Sequence, residues 1–144
     1  MNAYDLTDPR DAFDAIEAER RARRLGINSI RAAGVALNSW FSWRKMVRSP
    51  MVSNLVLLAS AFGFAIVVTK NGAEFSLSDQ PAAISAFDAE RKILGMSLGE
   101  MEDRSGVSVN SFYYWKSGKR SPQLVNLVAL AQTLGFEVMM VRKK

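Results

Sequence analysis

The chain has 144 residues, 49% of them apolar, which suits one or two small packed domains and is too apolar for disorder. It has no Cys and no His, which removes thiol nucleophiles, disulfides, the usual structural zinc sites and the commonest general base, so an enzyme is not expected. Net charge is +5, but Asp5, Asp8, Asp11, Asp14, Glu17 and Glu19 all come early, and no acid occurs between Arg20 and Ala73.

The first stretch, MNAYDLTDPRDAFDAIEAER, is polar and acidic, unlike a signal peptide, and the lack of Cys fits a reducing cytoplasm. Asp8-Pro9 reads as the cap of a first helix. The cluster Arg20, Arg21, Arg23 and Arg24 opens the acid-free span, which goes on through Arg31, Arg44, Lys45, Arg48 and Lys70. One-sign segments of this kind suit phosphate backbones or anionic lipid, and otherwise a solvated face. GINSIRAAGV (26–35) is a short second helix, and Trp40 and Trp43 fall on one face of a third. Residues 51–69, MVSNLVLLASAFGFAIVVT, carry no charge and pass the rough 18-residue length of a membrane span. However, Leu55, Leu58, Ala59 and Phe62 recur at i, i+3, i+4 and i+7 before Gly63, and the residues from Phe64 are β-branched. That pattern predicts a helix, a glycine stop and a strand over 64–70. Asn71-Gly72 then predicts a hairpin returning through 73–77.

In the second half, Asp79-Gln80-Pro81 starts a helix over about 81–94. Ser97 and Glu100 have capping-box spacing for a second helix that presents Leu98 and Met101 inward and ends near Gly106. Ser108 caps a third helix over about 109–117, which stops at Gly118. Pro122 opens a fourth helix that reaches Leu134, Gly135 ends it, and Phe136–Arg142 reads as a strand. The chain also repeats itself. AIEAER (15–20) lies 71 residues before AFDAER (86–91), GVALNSWFSWRKMVRSP (34–50) lies 72 before GVSVNSFYYWKSGKRSP (106–122), and NLVLLASAFGF (54–64) lies 72 before NLVALAQTLGF (126–136). Two copies are thus expected at 6–70 and 77–142, with 71–76 as linker or hairpin turn. The partner of the uncharged run, QLVNLVALAQTLGFEVMMV (123–141), is too polar to span a bilayer, which argues against a membrane reading of both.

LGMSLGEMEDRSGVSVNSFYYWKSGKRSP (94–122) resembles the helix-turn-helix of phage repressors and Cro-like (Xre-type) regulators, through Leu94-Gly95, Ser97, Met101, the 105–108 turn, Phe112, Trp115 and the 118–122 exit. The tail LGFEVMMVRKK looks like the strand that ends many HigA-type antitoxins. The resemblance covers 81–135. It implies a DNA-binding bundle of four or five helices; together with the repeat, the expected fold is mainly α, with two λ-repressor-like four- or five-helix domains in tandem, each ending in a short β-strand, in a pseudo-twofold arrangement. The first copy departs from the pattern: its helix-two region is about a residue short, and Met46 stands where the second copy has Gly118, so helix three is expected to run on.

At the matching family positions Val109, Asn110, Tyr113 and Tyr114 reach base edges. Asn110 suits adenine N6/N7 and Val109 a thymine methyl. The outward set of the first copy is Leu37, Asn38, Phe41 and Ser42; an outward Phe41 is unusual for DNA reading and suits a protein contact nearly as well. Phosphate contacts are expected from Ser97, Ser111, Lys116, Lys119 and Arg120, and from Ser39, Arg44, Lys45 and Arg48. Glu102 and Asp103 should then lie on the back of helix two. Ile66, Val67, Val68, Val138 and Met140 are the expected pairing interface. No cofactor or metal is implied.

The expected function is that of a cytoplasmic, nucleoid-associated transcription regulator of a bacterium, phage or mobile element. It would bind double-stranded DNA and repress by occlusion rather than activate. Two motifs in one chain, as a pseudo-dimer, would face successive major grooves about 34–36 Å apart, on an imperfectly symmetric site. The chain could also pair with itself. The alternative is an antitoxin or antiactivator that keeps the fold but uses Trp40, Phe41 and its strand edges to hold a protein.

Overall fold

The computed structural model describes residues 2–143. Its elements run β1 (Ala3–Asp5), α1 (Arg10–Ala22), α2 (Asn28–Ala32), α3 (Leu37–Arg44), α4 (Val52–Ala61), β2 (Phe64–Lys70), β3 (Ala73–Ser76), α5 (Gln80–Ile93), α6 (Leu98–Ser105), α7 (Val109–Lys116), α8 (Leu124–Leu134) and β4 (Glu137–Arg142). The fold is mainly helical, with one antiparallel sheet in the order β1-β4-β2-β3. Among the described residues, no helix is long and apolar enough to cross a membrane. The uncharged run 51–69 is instead α4, a left-handed Gly63 and most of β2.

Local chemistry accounts for several helix ends in the C-terminal half. Asp79 accepts the Ala82 N–H, and Ser97 and Glu100 form a reciprocal capping box on α6. Ser108 accepts the Ser111 N–H at the start of α7. Gly106 and Gly135 take the left-handed conformation that ends α6 and α8 at little steric cost. Asn71 and Gly72 both have positive φ, as a two-residue hairpin with the right twist requires.

Two expectations need correction, and one strand is additional to them. Helix α3 does not run on past its glycine-free exit: it stops at Arg44, and Met46 itself takes φ 60°, where Gly118 has φ 79°. A left-handed non-glycine residue costs about 1–2 kcal/mol, so the surrounding packing must impose this turn. The fourth helix of the C-terminal half starts at Leu124 rather than Pro122, because Pro122 is used between the halves. Strand β1 was not foreseen, since three residues carry too little pattern to read alone.

The β-α-α-α-α-β order occurs twice, and contacts between the halves come in pairs related by steps of 71 or 72 residues. Leu6 N–H donates to Val138 O (2.8 Å) and Leu77 N–H to Ile66 O (2.9 Å). Val52 N–H donates to Pro122 O and Leu124 N–H to Pro50 O, both at 2.8 Å. Ser121 Oγ accepts the Ser53 N–H and Ser49 Oγ the Val125 N–H. In the central pair of strands, Val67 faces Met139. Ile66, Val67, Val68, Val138 and Met140 are all buried there. The two outer strands each lie against the inner strand of the other half: Tyr4 opposite Met140, Phe75 opposite Val68.

One asymmetry opens a cavity of about 260 Å³ between Leu6, Pro9, Phe13, Met46, Leu124 and Val128. In the C-terminal half, the residue at the place of Pro9 is Gln80, whose amide donates to the carbonyls of Trp115 and Arg120 and bridges that space.

Candidate nucleic-acid interface

The core of the C-terminal half sets the pose of α7. Phe112 and Trp115 are buried three residues apart, on one face, while Met101 is buried and Leu98 packs at its margin from α6. The opposite face of α7 is left outward. Asn110 is exposed there, Val109 is half-buried, and Tyr113 and Tyr114 are 48% and 39% exposed. Arg120 places its guanidinium 4.7 Å from the centre of the Tyr114 ring, a cation–π contact that holds both at the exit of the helix. Lys119 is exposed beside them and makes no ion pair among the described residues.

The C-terminal end of α7 is tied to α5 by Asp88. This carboxylate is buried, and accepts from Lys116 Nζ at 2.7 Å and Arg91 Nε at 3.0 Å. Burial pushes its pKa up, but the hydrogen bonds and charges of Lys116 and Arg91 outweigh burial and hold it below the usual carboxylate range. In the N-terminal half Glu17 has the same role. It is buried, bonded to Arg20 and reached by Arg44 from α3, and its pKa is likewise lowered against the opposing effect of burial. Arg91 and Arg20 also donate to the Met96 and Leu25 carbonyls. Lys116 and Arg44, both expected on phosphate, therefore point at interior carboxylates. Arg44 also reaches Asp14 and lies over the Trp40 ring. This network had no sequence signal beyond the repeated AIEAER and AFDAER.

The hydroxyls expected on phosphate are engaged as well. Ser97 Oγ accepts the Glu100 N–H, and Ser111 bonds Ser108 through both its N–H and its hydroxyl. Ser39 is half-buried.

Two further expectations fail. Glu102 is not on the back of α6: its carboxylate accepts the Val109 N–H at 2.8 Å and so caps the N-terminus of α7, where the helix dipole favours an anion. Leu37 is not fully outward either; it is half-buried and packs against the core at the start of α3. The remaining face of α3 carries Asn38, Ser42 and a 44%-exposed Phe41. Lys45 and Arg48 are exposed at its exit. Trp40 and Trp43 are buried, and stack or cross with Phe13.

A short helix, a left-handed glycine turn and a second helix with a polar outward face and cationic exit are together on α6 and α7. Residues 89–138 match the helix-turn-helix family model. The match spans the end of α5, all of α6, α7 and α8, and the first residues of β4. A helix-turn-helix of this family belongs to sequence-specific DNA-binding regulators, which are not normally enzymes. No curated protein and no solved structure matches the chain.

Proposed function

We propose that the chain is a transcriptional repressor with two helix-turn-helix domains in tandem, residues 6–70 and 77–142 joined by the hairpin turn and strand at 71–76, and that the two form a pseudo-dimer on one duplex. The observation that carries DNA reading is the outward face of α7 within the matched segment: Asn110, Tyr113 and Tyr114, with Lys119 and Arg120 at its exit. Asn110 offers both an amide donor and an acceptor to adenine, and the tyrosines offer rings and hydroxyls to bases or sugar. Lys119 and Arg120 supply phosphate contacts. Lys116 and Arg44 act from behind, by fixing their helices to Asp88 and Glu17.

The tandem reading is supported by the paired hydrogen bonds 71 or 72 residues apart, and by the register that sets Val67 against Met139. Two chains of a simple repressor would be related by a symmetry axis at such a pair. Here the faces differ, Asn38-Phe41-Ser42 against Asn110-Tyr113-Tyr114, so the operator is an imperfect palindrome bound by one chain. Repression follows from occlusion of the site.

A second reading has its own observation. Phe41 is 44% and Val47 70% exposed, which suits a protein partner, as in an antitoxin or antiactivator that keeps the fold. A gel-shift series in rising salt separates the two. A DNA reader loses affinity log-linearly with salt, and Lys119→Gln with Arg120→Gln removes about 1.8 from the slope. A chain that shifts no duplex, but whose complex with a protein partner ignores salt and survives both changes, supports the protein-interaction reading instead.

A further inference from the structure

The two helix-turn-helix segments are not charged alike. In the N-terminal half, Arg24, Arg31, Lys45 and Arg48 are exposed and make no ion pair among the described residues. No acid occurs in the sequence between Arg20 and Ala73; the acids of this half, Asp8, Asp11, Asp14, Glu17 and Glu19, all lie on or just before α1. In the C-terminal half the free cations are Lys119 and Arg120, and the same helix pair carries exposed Glu102 and Asp103. Glu102 stands at the very N-terminus of α7. Arg104 is turned to Glu100 at 3.8 Å. Cations and acids there nearly cancel.

The reading faces are unequal in the opposite sense. Helix α7 presents Asn110, Tyr113 and Tyr114, three side chains able to hydrogen-bond a base edge. Helix α3 presents an apolar Phe41 where α7 has Tyr113, with Asn38 and a half-buried Ser42 beside it; Leu37 is half-buried, as Val109 is on α7. Its partner α2 has five residues and no side-chain cap, against eight and a capping box for α6. Sequence is read by hydrogen bonds and apolar contacts at base edges, whereas phosphate contacts fix position without carrying sequence information.

We infer that the halves divide the work unequally: the N-terminal half is chiefly a clamp on the phosphate backbone, through Arg31, Lys45 and Arg48, and the C-terminal half supplies most of the base discrimination, so one half of the imperfect palindrome is strongly specified and the other weakly. This rests on the DNA reading proposed above. The clamp lets α7 tolerate an acid at its N-terminus, because the long-range attraction for the duplex comes from the other half of the same chain.

The test uses the full chain and two duplexes, one recovered by selection from a random pool and one of the same composition in scrambled order. Binding is measured by fluorescence anisotropy between 50 and 200 mM salt for wild type, for the triple variant Arg31→Gln, Lys45→Gln, Arg48→Gln, and for Asn110→Ala. All four positions are exposed, and circular dichroism checks that each variant is folded. The triple variant should weaken both duplexes by the same factor. Its salt slope should fall by about 2.7, so that the salt-driven loss over this range shrinks about 40-fold. Asn110→Ala should leave the slope unchanged and cut the preference for the selected duplex about tenfold. A triple variant that loses its preference while keeping its slope overturns the division, as does an Asn110→Ala chain with undiminished preference. Wild-type chain that binds neither duplex removes the DNA reading itself, a different failure.

Discussion

Replacing Asp88 with Asn tests what holds the recognition helix in place. The carboxylate is buried and accepts charge-assisted hydrogen bonds from Lys116 at 2.7 Å and Arg91 at 3.0 Å. Breaking a buried pair by removing one partner costs about 3–5 kcal/mol. Two features reduce that here. The Lys116 side chain is 35% exposed and can turn to water, and Arg91 keeps its bond to the Met96 carbonyl. The expected loss is about 2–3 kcal/mol, by discounting the buried-pair figure for exposure. Urea unfolding at pH 7, followed by tryptophan fluorescence, measures it; Trp115 lies in the same packed face. The pH dependence has a definite sign. The Asp88 pKa is lowered by folding from an ordinary 3.8, so its contribution is complete above that value and is lost as pH falls through the lower folded value. The gap between wild type and Asp88→Asn should therefore be constant from pH 7 to 5 and should close only below about 3.8. A loss under about 0.5 kcal/mol at pH 7, the size of an ordinary surface substitution, would refute the anchoring role.

Other perturbations address separate parts of the structure. Val67→Asp puts a charge at a 3%-exposed site in the central strand pair, and should lower both the urea midpoint and DNA affinity; normal binding by this variant refutes the strand pair as the seat of pairing. Ser97→Ala removes the capping box of α6 and should cost about 1 kcal/mol in the same unfolding assay. Gly118→Ala meets both a positive φ and a Pro81 Cγ 3.3 Å from the new methyl, and should destabilise by about 1–2 kcal/mol.

The sequence was most readable where one residue fixes one backbone feature. Gly63 and Gly135 split apolar runs into helix and strand, Ser97 and Glu100 announced a capping box, and Asn71-Gly72 announced a hairpin. It was least readable where tertiary contact decides. Met46 adopts a turn that its own side chain disfavours. Glu102 could be assigned a face of α6 from its spacing, but nothing local said that its carboxylate would reach the Val109 N–H seven residues on. Strand β1 is three residues long and exists because β4 offers it an edge; the faint cue was NAYDLTD aligned with AEFSLSD. For the candidate interface, the outward identity of Asn110, Tyr113 and Tyr114 followed from the buried positions of Phe112 and Trp115. The capture of Lys116 and Arg44 by interior acids did not, because it depends on how α5 packs on α7 and α1 on α3.

The most direct measurement is selection of the full chain on a random pool of duplex DNA, followed by titration of the recovered site in rising salt with the stoichiometry measured. Reading by α7 within a tandem pair predicts an enriched, imperfectly palindromic site, one chain per duplex, and a steep log-linear loss of affinity with salt. Failure to enrich any site, or binding that does not change with salt, contradicts DNA reading; a perfect palindrome holding two chains contradicts the pseudo-dimer.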